Sequence, residues 1–185
     1  MRDQEGHGDT AVERARDGTA VVVIRTVEEA DLPALHRVDR LVFGRLAYPP
    51  FALRQLLDLH NRHCLVADDG HGLLGYCLGA LAARPRIGWV LGLGVLPQAR
   101  GAGHGRALVS ETVRRIISDG AREVRLAVEP ENSAAIHLYE TIGMRITGFR
   151  PDYFGPRGDR LIMSTGSPRT DPPPAGTDRL AAWWG

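Results

Sequence analysis

The segment Leu93-Gly-Val-Leu-Pro-Gln-Ala-Arg-Gly-Ala-Gly-His-Gly105 constrains the chain more than any other. An apolar strand ends at Pro97, glycines follow at 101, 103 and 105, and an amphipathic helix continues with Ala107, Leu108, Val109, Val113, Ile116 and Ile117. Glycine allows close approach of a ligand and φ values barred to other residues, while the N–H groups of the first helical turn face outward. The helix dipole and Arg100 add positive charge, so the turn suits an anion such as a diphosphate. The lysine-bearing loop of nucleotide triphosphatases is excluded, because Gly105-Arg106-Ala107 stands where Gly-Lys-Ser/Thr is required. A dinucleotide fold would carry its glycines after the first strand, and here they lie past the middle of the chain. A glycine turn that binds nothing stays open at this point.

The flanking pattern alternates strand and helix. Val21-Val-Val-Ile-Arg-Thr26 reads as a strand, and Glu28 to Phe43 as a helix with Leu32, Leu35, Val38, Leu41 and Val42 at helical spacing. After Tyr48-Pro49-Pro50 comes a second helix marked by Phe51, Leu53, Leu56 and Leu57. Cys64–Ala67 and Leu73–Leu81 flank the turn Asp68-Asp-Gly-His-Gly72 as a hairpin. Arg84-Pro85-Arg86 breaks the chain, and strands follow at Trp89–Leu96, Val124–Val128, Met144–Phe149 and Arg160–Ser164, with helices over Gly103–Ser118 and Ser133–Thr141. The expected architecture is α/β of the α+β type: a mixed, mostly antiparallel, twisted sheet of about seven strands with helices on both faces.

The 185 residues, 43% hydrophobic, suffice for one domain over 21–165, between a polar, disordered leader over 1–20 and a Pro-rich tail over 166–185. That tail ends in an apolar tip with Trp183 and Trp184, read as folding back on the surface or as a hook for a partner. A formal charge of +1 without long like-charge runs argues against a nucleic-acid partner. The two cysteines, Cys64 and Cys77, supply neither a disulfide framework nor a zinc site, and no metal is expected. The leader lacks a signal peptide's apolar core and no apolar run reaches membrane-spanning length, so a cytoplasmic protein without a membrane partner, monomeric or homodimeric, is expected.

Val95-x-Pro97-x-x-Arg100-Gly-x-Gly103-x-Gly105 resembles the acetyl-CoA signature of the GNAT superfamily, Gln/Arg-x-x-Gly-x-Gly/Ala. Asn132-Ser-Ala-Ala135-Ile-His-Leu138-Tyr139-Glu-Thr-Ile-Gly143-Met144 resembles its second motif, with Met144 in place of the usual Phe. The two motifs come in the family's order, and the resemblance extends over about Val21 to Thr165. It implies an N-acetyltransferase that moves an acetyl group from acetyl-CoA to a primary amine by direct attack in a ternary complex. It further implies that the strand ending at Val95 splays from the one ending at Val128, and that the pantetheine arm enters the gap. On that reading Leu93, Gly94, Val95, Gln98, Arg100, Gly101, Ala102, Gly103, His104, Gly105, Arg106, Asn132 and Ala135 bind the cosubstrate. A free N–H at Gly94 or Val95 polarises the thioester carbonyl, and Tyr139 protonates the departing thiolate. Asn132 equally suits a helix cap, and Tyr139 an aromatic plug. The base is harder to assign: Glu129 is the nearest carboxylate, with ordered water, His60 and His63 as alternatives and a surface role open to each histidine.

In this superfamily the first two helices and their loop cover the acceptor, which makes Tyr48 and Phe51 wall residues suited to a peptide or apolar amine. Tyr153-Phe154-Gly-Pro-Arg-Gly-Asp159-Arg-Leu-Ile-Met163 resembles the ending of protein N-terminal acetyltransferases, whose aromatic pair borders the peptide slot. Both segments equally suit closing the core. Ribosomal-protein alanine acetyltransferases carry Glu twelve residues before the motif Tyr, where this chain has Ala127, and their second ending Tyr is Phe154 here. The favoured acceptor is a protein or peptide α-amine or lysine; a small-molecule amine, or a non-catalytic acyl-CoA sensor, are the alternatives.

Overall fold

The computed structural model describes residues 21–82 and 86–166. The expected leader over 1–20, the break at Arg84-Pro85 and the tail from 167 onward, with Trp183 and Trp184, lie outside the described residues. Seven strands form one sheet: β1 (Val23–Thr26), β2 (Cys64–Asp68), β3 (Leu73–Leu81), β4 (Ile87–Val95), β5 (Glu123–Val128), β6 (Arg145–Arg150) and β7 (Arg160–Ser164), in the order β1-β2-β3-β4-β5-β7-β6. Only β4 and β5 run parallel, joined by the crossover helix α3 (His104–Ser118).

Side-chain alternation on the central strands gives the sheet two buried faces. Leu65, Ala67 and Cys77 pack with α3 and α4 (Ser133–Thr141), whereas Cys64, Val66, Tyr76 and Leu78 pack with α1 (Leu32–Phe43) and α2 (Pro50–His60). The helices therefore cover both faces, as the apolar runs in these strands require. The first helix starts later than its periodicity suggests. Asp31 accepts a hydrogen bond from the Glu28 N–H at 2.8 Å and pairs with Arg25 at 2.6 Å, which fixes a short 3-10 turn over Glu29–Asp31, and Pro33 then opens α1. Met144, expected to begin a strand, is 1% exposed in the core, and β6 starts one residue later.

Two irregularities of β4 shape the site. The register on β3 moves from Leu78↔Gly92 to Gly79↔Val90, so Leu91 is an extra residue, a β-bulge. It shifts the parity of the strand: Gly88 and Val90 face α3, Leu93 and Val95 again face α3, and Gly92 and Gly94 face the rings of the α1–α2 side. On the other edge, β4 pairs with β5 only from Ile87↔Glu123 to Val90↔Leu126. Beyond the bulge the two strands separate, as the resemblance implied.

Gly94 permits this arrangement. A Cβ there would lie 2.7 Å from Tyr76 Cε1, and Tyr76 is fully buried with its hydroxyl bonded to Asp39, so the ring cannot yield. Gly94→Ala is expected to cost about 1–3 kcal/mol in a denaturant titration, the usual range for overpacking. Gly92→Ala, whose methyl would sit 3.6 Å from Tyr48 at ordinary contact, is the matched control and should fall within about 0.5 kcal/mol of the parent. Equal midpoints for the two variants would contradict this account.

Candidate active site

The glycine turn lies at the C-terminal end of β4. A short 3-10 turn over Pro97–Ala99 follows the strand, Arg100 is extended, and Gly101 and Gly103 adopt φ of +82° and +85°, which only glycine takes without strain. A Cβ at either would meet nothing within 4 Å, so both open outward onto free space. Intrahelical bonding of α3 begins with the Ala107 N–H donating to the Gly103 carbonyl at 3.0 Å. The N–H groups of His104, Gly105 and Arg106 therefore stand in the unpaired first turn. Gln98, Ala102 and Arg106 are exposed. The Arg100 guanidinium folds back to donate to the Val95 carbonyl at 3.2 Å, across the end of the strand.

The edge of β4 that faces the gap can be assigned. In an antiparallel pair the N–H groups alternate between the partner and the far side. Leu96 N–H donates to Leu74 of β3 at 2.9 Å, so Gly94 N–H points to β3 as well, and those of Leu93 and Val95 point into the gap. Of the two donors expected from the sequence, the geometry selects Val95 and turns Gly94 away.

Tyr139, on α4, is 8% exposed and packs with Cys77 and Val128 in the core on the α3 side. Burial, with a smaller contribution from Cys77, pushes its phenol above the ordinary tyrosine range. Among the described residues nothing hydrogen-bonds its hydroxyl. Asn132 caps α4, its Oδ1 accepting from Ala135 N–H at 3.1 Å, and its amide nitrogen has no partner among the described residues. Gly105 brings the elements together, since a Cβ there would lie 3.5 Å from Val95 and 3.6 Å from Leu138.

On the other side of β4, Tyr48 in the α1–α2 loop donates its hydroxyl to the Leu91 carbonyl at 3.0 Å, capping the bulge. Burial and then Asp39 raise its phenol above the ordinary range. Phe51 is 68% exposed and points away from the core. Tyr153 and Phe154 follow β6 in the loop to β7, edge to face at 4.8 Å, and the Arg160 guanidinium sits 4.8 Å from the Phe154 ring centroid. Arg160 also pairs with Glu129 at 3.3 Å. Because Leu161 pairs with Val128, this cluster lies at the end of β5 where the gap opens. The aromatic residues at 51, 153 and 154 are too exposed to be closing the core.

The histidines are elsewhere. His63, for which a surface role was open, is 7% exposed with Nε2 2.8 Å from Asp119, beyond the C-terminus of α3. The 15-residue helix, roughly 22 Å long, separates it from the glycine turn. His60 is its neighbour, and burial lowers its imidazole below the ordinary range. Among the described residues no cluster of three His, Cys, Asp or Glu side chains could hold a metal, and no helix is long and apolar enough to cross a membrane. Arg160, Tyr76 and Asp39 were not expected at the site. Asp39 had a signal: a carboxylate on the apolar stripe Leu35, Val38, Val42.

The sequence model of the Acetyltransferase (GNAT) family matches residues 11–144. The chain belongs to this family. N-alpha-acetyltransferase RimI of Mycobacterium tuberculosis is 33% identical over 142 residues, 74% of this chain and 86% of that protein. A mycothiol acetyltransferase of Streptomyces griseus is 34% identical over 133 residues, 66% of this chain but 42% of that protein. The chain spans less than half the length of the mycothiol acetyltransferases it matches first. Arabidopsis thaliana Naa50, solved with the bisubstrate analogue CoA-Ac-MVNAL, aligns with a TM-score of 0.70 at 22% identity, over 79% of this chain and 99% of that one, a likeness of fold. The seven-stranded mixed sheet with four α-helices among the described residues is thus the GNAT fold.

Proposed function

We propose that this GNAT protein transfers an acetyl group from acetyl-CoA to the α-amine of a peptide or protein, or to a lysine, within a ternary complex. The observation that carries the reading is the parting of β4 from β5 after Val90↔Leu126. It leaves unpaired β4 donors between an anion-binding turn and a buried phenol. Acetyl-CoA fits this arrangement. The outward amides at Gly101–Arg106 and the charge of Arg100 suit its pyrophosphate, and the side-chain amide of Asn132 and the edge of β4 suit its pantetheine arm. When bound, it supplies an activated acyl group on a thiol leaving group.

The chain's own residues then divide the work. Val95 N–H, with Leu93 N–H beside it, holds the acetyl oxygen and stabilises negative charge that builds there during attack. Tyr139 gives its proton to the departing sulfur as the C–S bond breaks, and the second proton that the nitrogen loses as the amide forms restores the phenol. Glu129, at the mouth of the gap, takes the proton of the incoming ammonium through ordered water, while its pairing with Arg160 holds it in place. Tyr48, held against the bulge, and Tyr153 with Phe154, at the end of β5, are the walls assigned to the acceptor, a pair that suits an extended peptide. The RimI relative, an N-alpha-acetyltransferase, supports the α-amine. The mycothiol acetyltransferases support a second reading, a small-molecule amine acceptor.

The test is CoA release with a panel of free-amine peptides, lysine peptides with a blocked N-terminus and small amines. Turnover best on free α-amines supports the proposal, and turnover confined to small amines favours the second reading. Tight acetyl-CoA binding without turnover on any amine would identify an acyl-CoA sensor instead.

A further inference from the structure

Asp39 is fully buried in the third turn of α1, yet carries a carboxylate. Removing such a group from water is costly unless its oxygens are satisfied. Among the described residues no cation pairs with it. Two donors serve it: the Tyr76 hydroxyl reaches Oδ1, and the backbone N–H of Tyr48 reaches Oδ2 at 2.6 Å. Both donors lead to β4. The Tyr76 ring packs against Gly94, and the Tyr48 ring packs against Gly92 on the same face of the strand, while the Tyr48 hydroxyl holds the Leu91 carbonyl. One buried carboxylate thereby ties the α1–α2 loop, the floor of the sheet and the bulge that parts β4 from β5.

We infer that Asp39 is a positioning residue for the acceptor. It fixes Tyr48 against the bulge and so sets one of the walls assigned to the acceptor. An aspartate suits this task because both oxygens accept. With the one accepting oxygen of an asparagine on the Tyr48 N–H, its amide nitrogen must donate to the Tyr76 hydroxyl, whose own hydrogen then loses its acceptor. The inference rests on the proposed acceptor site, since Asp39 touches neither the glycine turn nor Tyr139.

The experiment compares Asp39→Asn, Tyr48→Phe and the double variant in the full chain, measuring acceptor KM, kcat and acetyl-CoA affinity by titration. Hydrogen exchange is followed over residues 44–50 and 91–95. Each single change is expected to raise the KM of the best acceptor about tenfold with acetyl-CoA affinity within about twofold, the pattern of lost acceptor binding. The double variant should be no worse than the poorer single one, because the two residues act in one chain of contacts. Exchange in both segments should accelerate in Asp39→Asn. Unchanged acceptor KM, an equal loss of acetyl-CoA affinity, or additive effects would overturn the inference. If Asp39→Asn does not fold, Tyr48→Phe decides it, since that change leaves Asp39 and its buried bonds in place. Absence of turnover on every amine would refute the proposed function, and exchange would then decide the role of Asp39 separately: faster exchange supports it, and unchanged exchange overturns it.

Discussion

Tyr139→Phe is expected to lower kcat by about 100-fold while acetyl-CoA affinity stays within about twofold, because only transition-state proton donation is removed. The substitution deletes one oxygen and keeps the ring. That ring packs with Cys77, Val128 and the core on the α3 side, so the fold has no reason to loosen. The hydroxyl has no hydrogen-bonding partner among the described residues, so removing it breaks no bond within them. Stability of the Phe variant should therefore match or slightly exceed that of the parent. Burial keeps the phenol protonated above its ordinary range, so the parent's rate should not fall through titration of Tyr139 between about pH 6 and 9. Stopped assays of CoA release, run beside acetyl-CoA titration, check all three points. A variant with the parent's turnover would make Tyr139 the aromatic plug that its burial also permits.

Helix boundaries were legible to within a few residues because they depend on local chemistry. Pro33 and Pro50 sit in first helical turns, Asn132 caps α4, and Gly44, Gly103 and Gly143 take the positive φ that bounds helices. The glycine turn was legible for the same reason. What could not be read was long-range. Trp89-Val-Leu-Gly-Leu-Gly-Val95 looks like one continuous apolar strand, and nothing in its letters marks Leu91 as the extra residue. The bulge exists only relative to β3, whose partner residues lie 7 to 20 positions away. Assigning the gap-facing donor to Val95 rather than Gly94 depended on that same register. Arg160 looks like an ordinary strand residue in the sequence, because its contact with Phe154 and Glu129 arises from β7 lying beside β5. Phe51 belongs to the helix that the spacing marks, but its direction was not legible: Leu53 and Leu57 of the same helix are buried, and Phe51 faces outward. Asp39 falls between these cases, since its place on an apolar stripe was visible but its two donors were not.

At the glycine turn, Gly103→Glu and Gly103→Ala separate backbone from charge. Any side chain at φ +85° costs roughly 1–2 kcal/mol in backbone conformation. The alanine methyl would meet nothing within 4 Å, so Ala carries that cost alone, and acetyl-CoA affinity should fall no more than about tenfold. Glutamate adds a carboxylate to a cradle whose positive helix dipole and Arg100 attract anions, so it competes with the diphosphate for the same positive groups. Repulsion of a diphosphate there, together with the volume of the side chain, should lower affinity by a further factor of about 100, beyond what calorimetry detects at ordinary concentrations. Rising salt should recover part of the loss in Glu but not in Ala, because screening acts on the charge and not on the backbone. Equal affinities for the two variants would show that the outward face of Gly103 is not where the anion sits. A loss in Glu that salt leaves untouched would assign the effect to volume, and the anion reading of the turn would lose its electrostatic half.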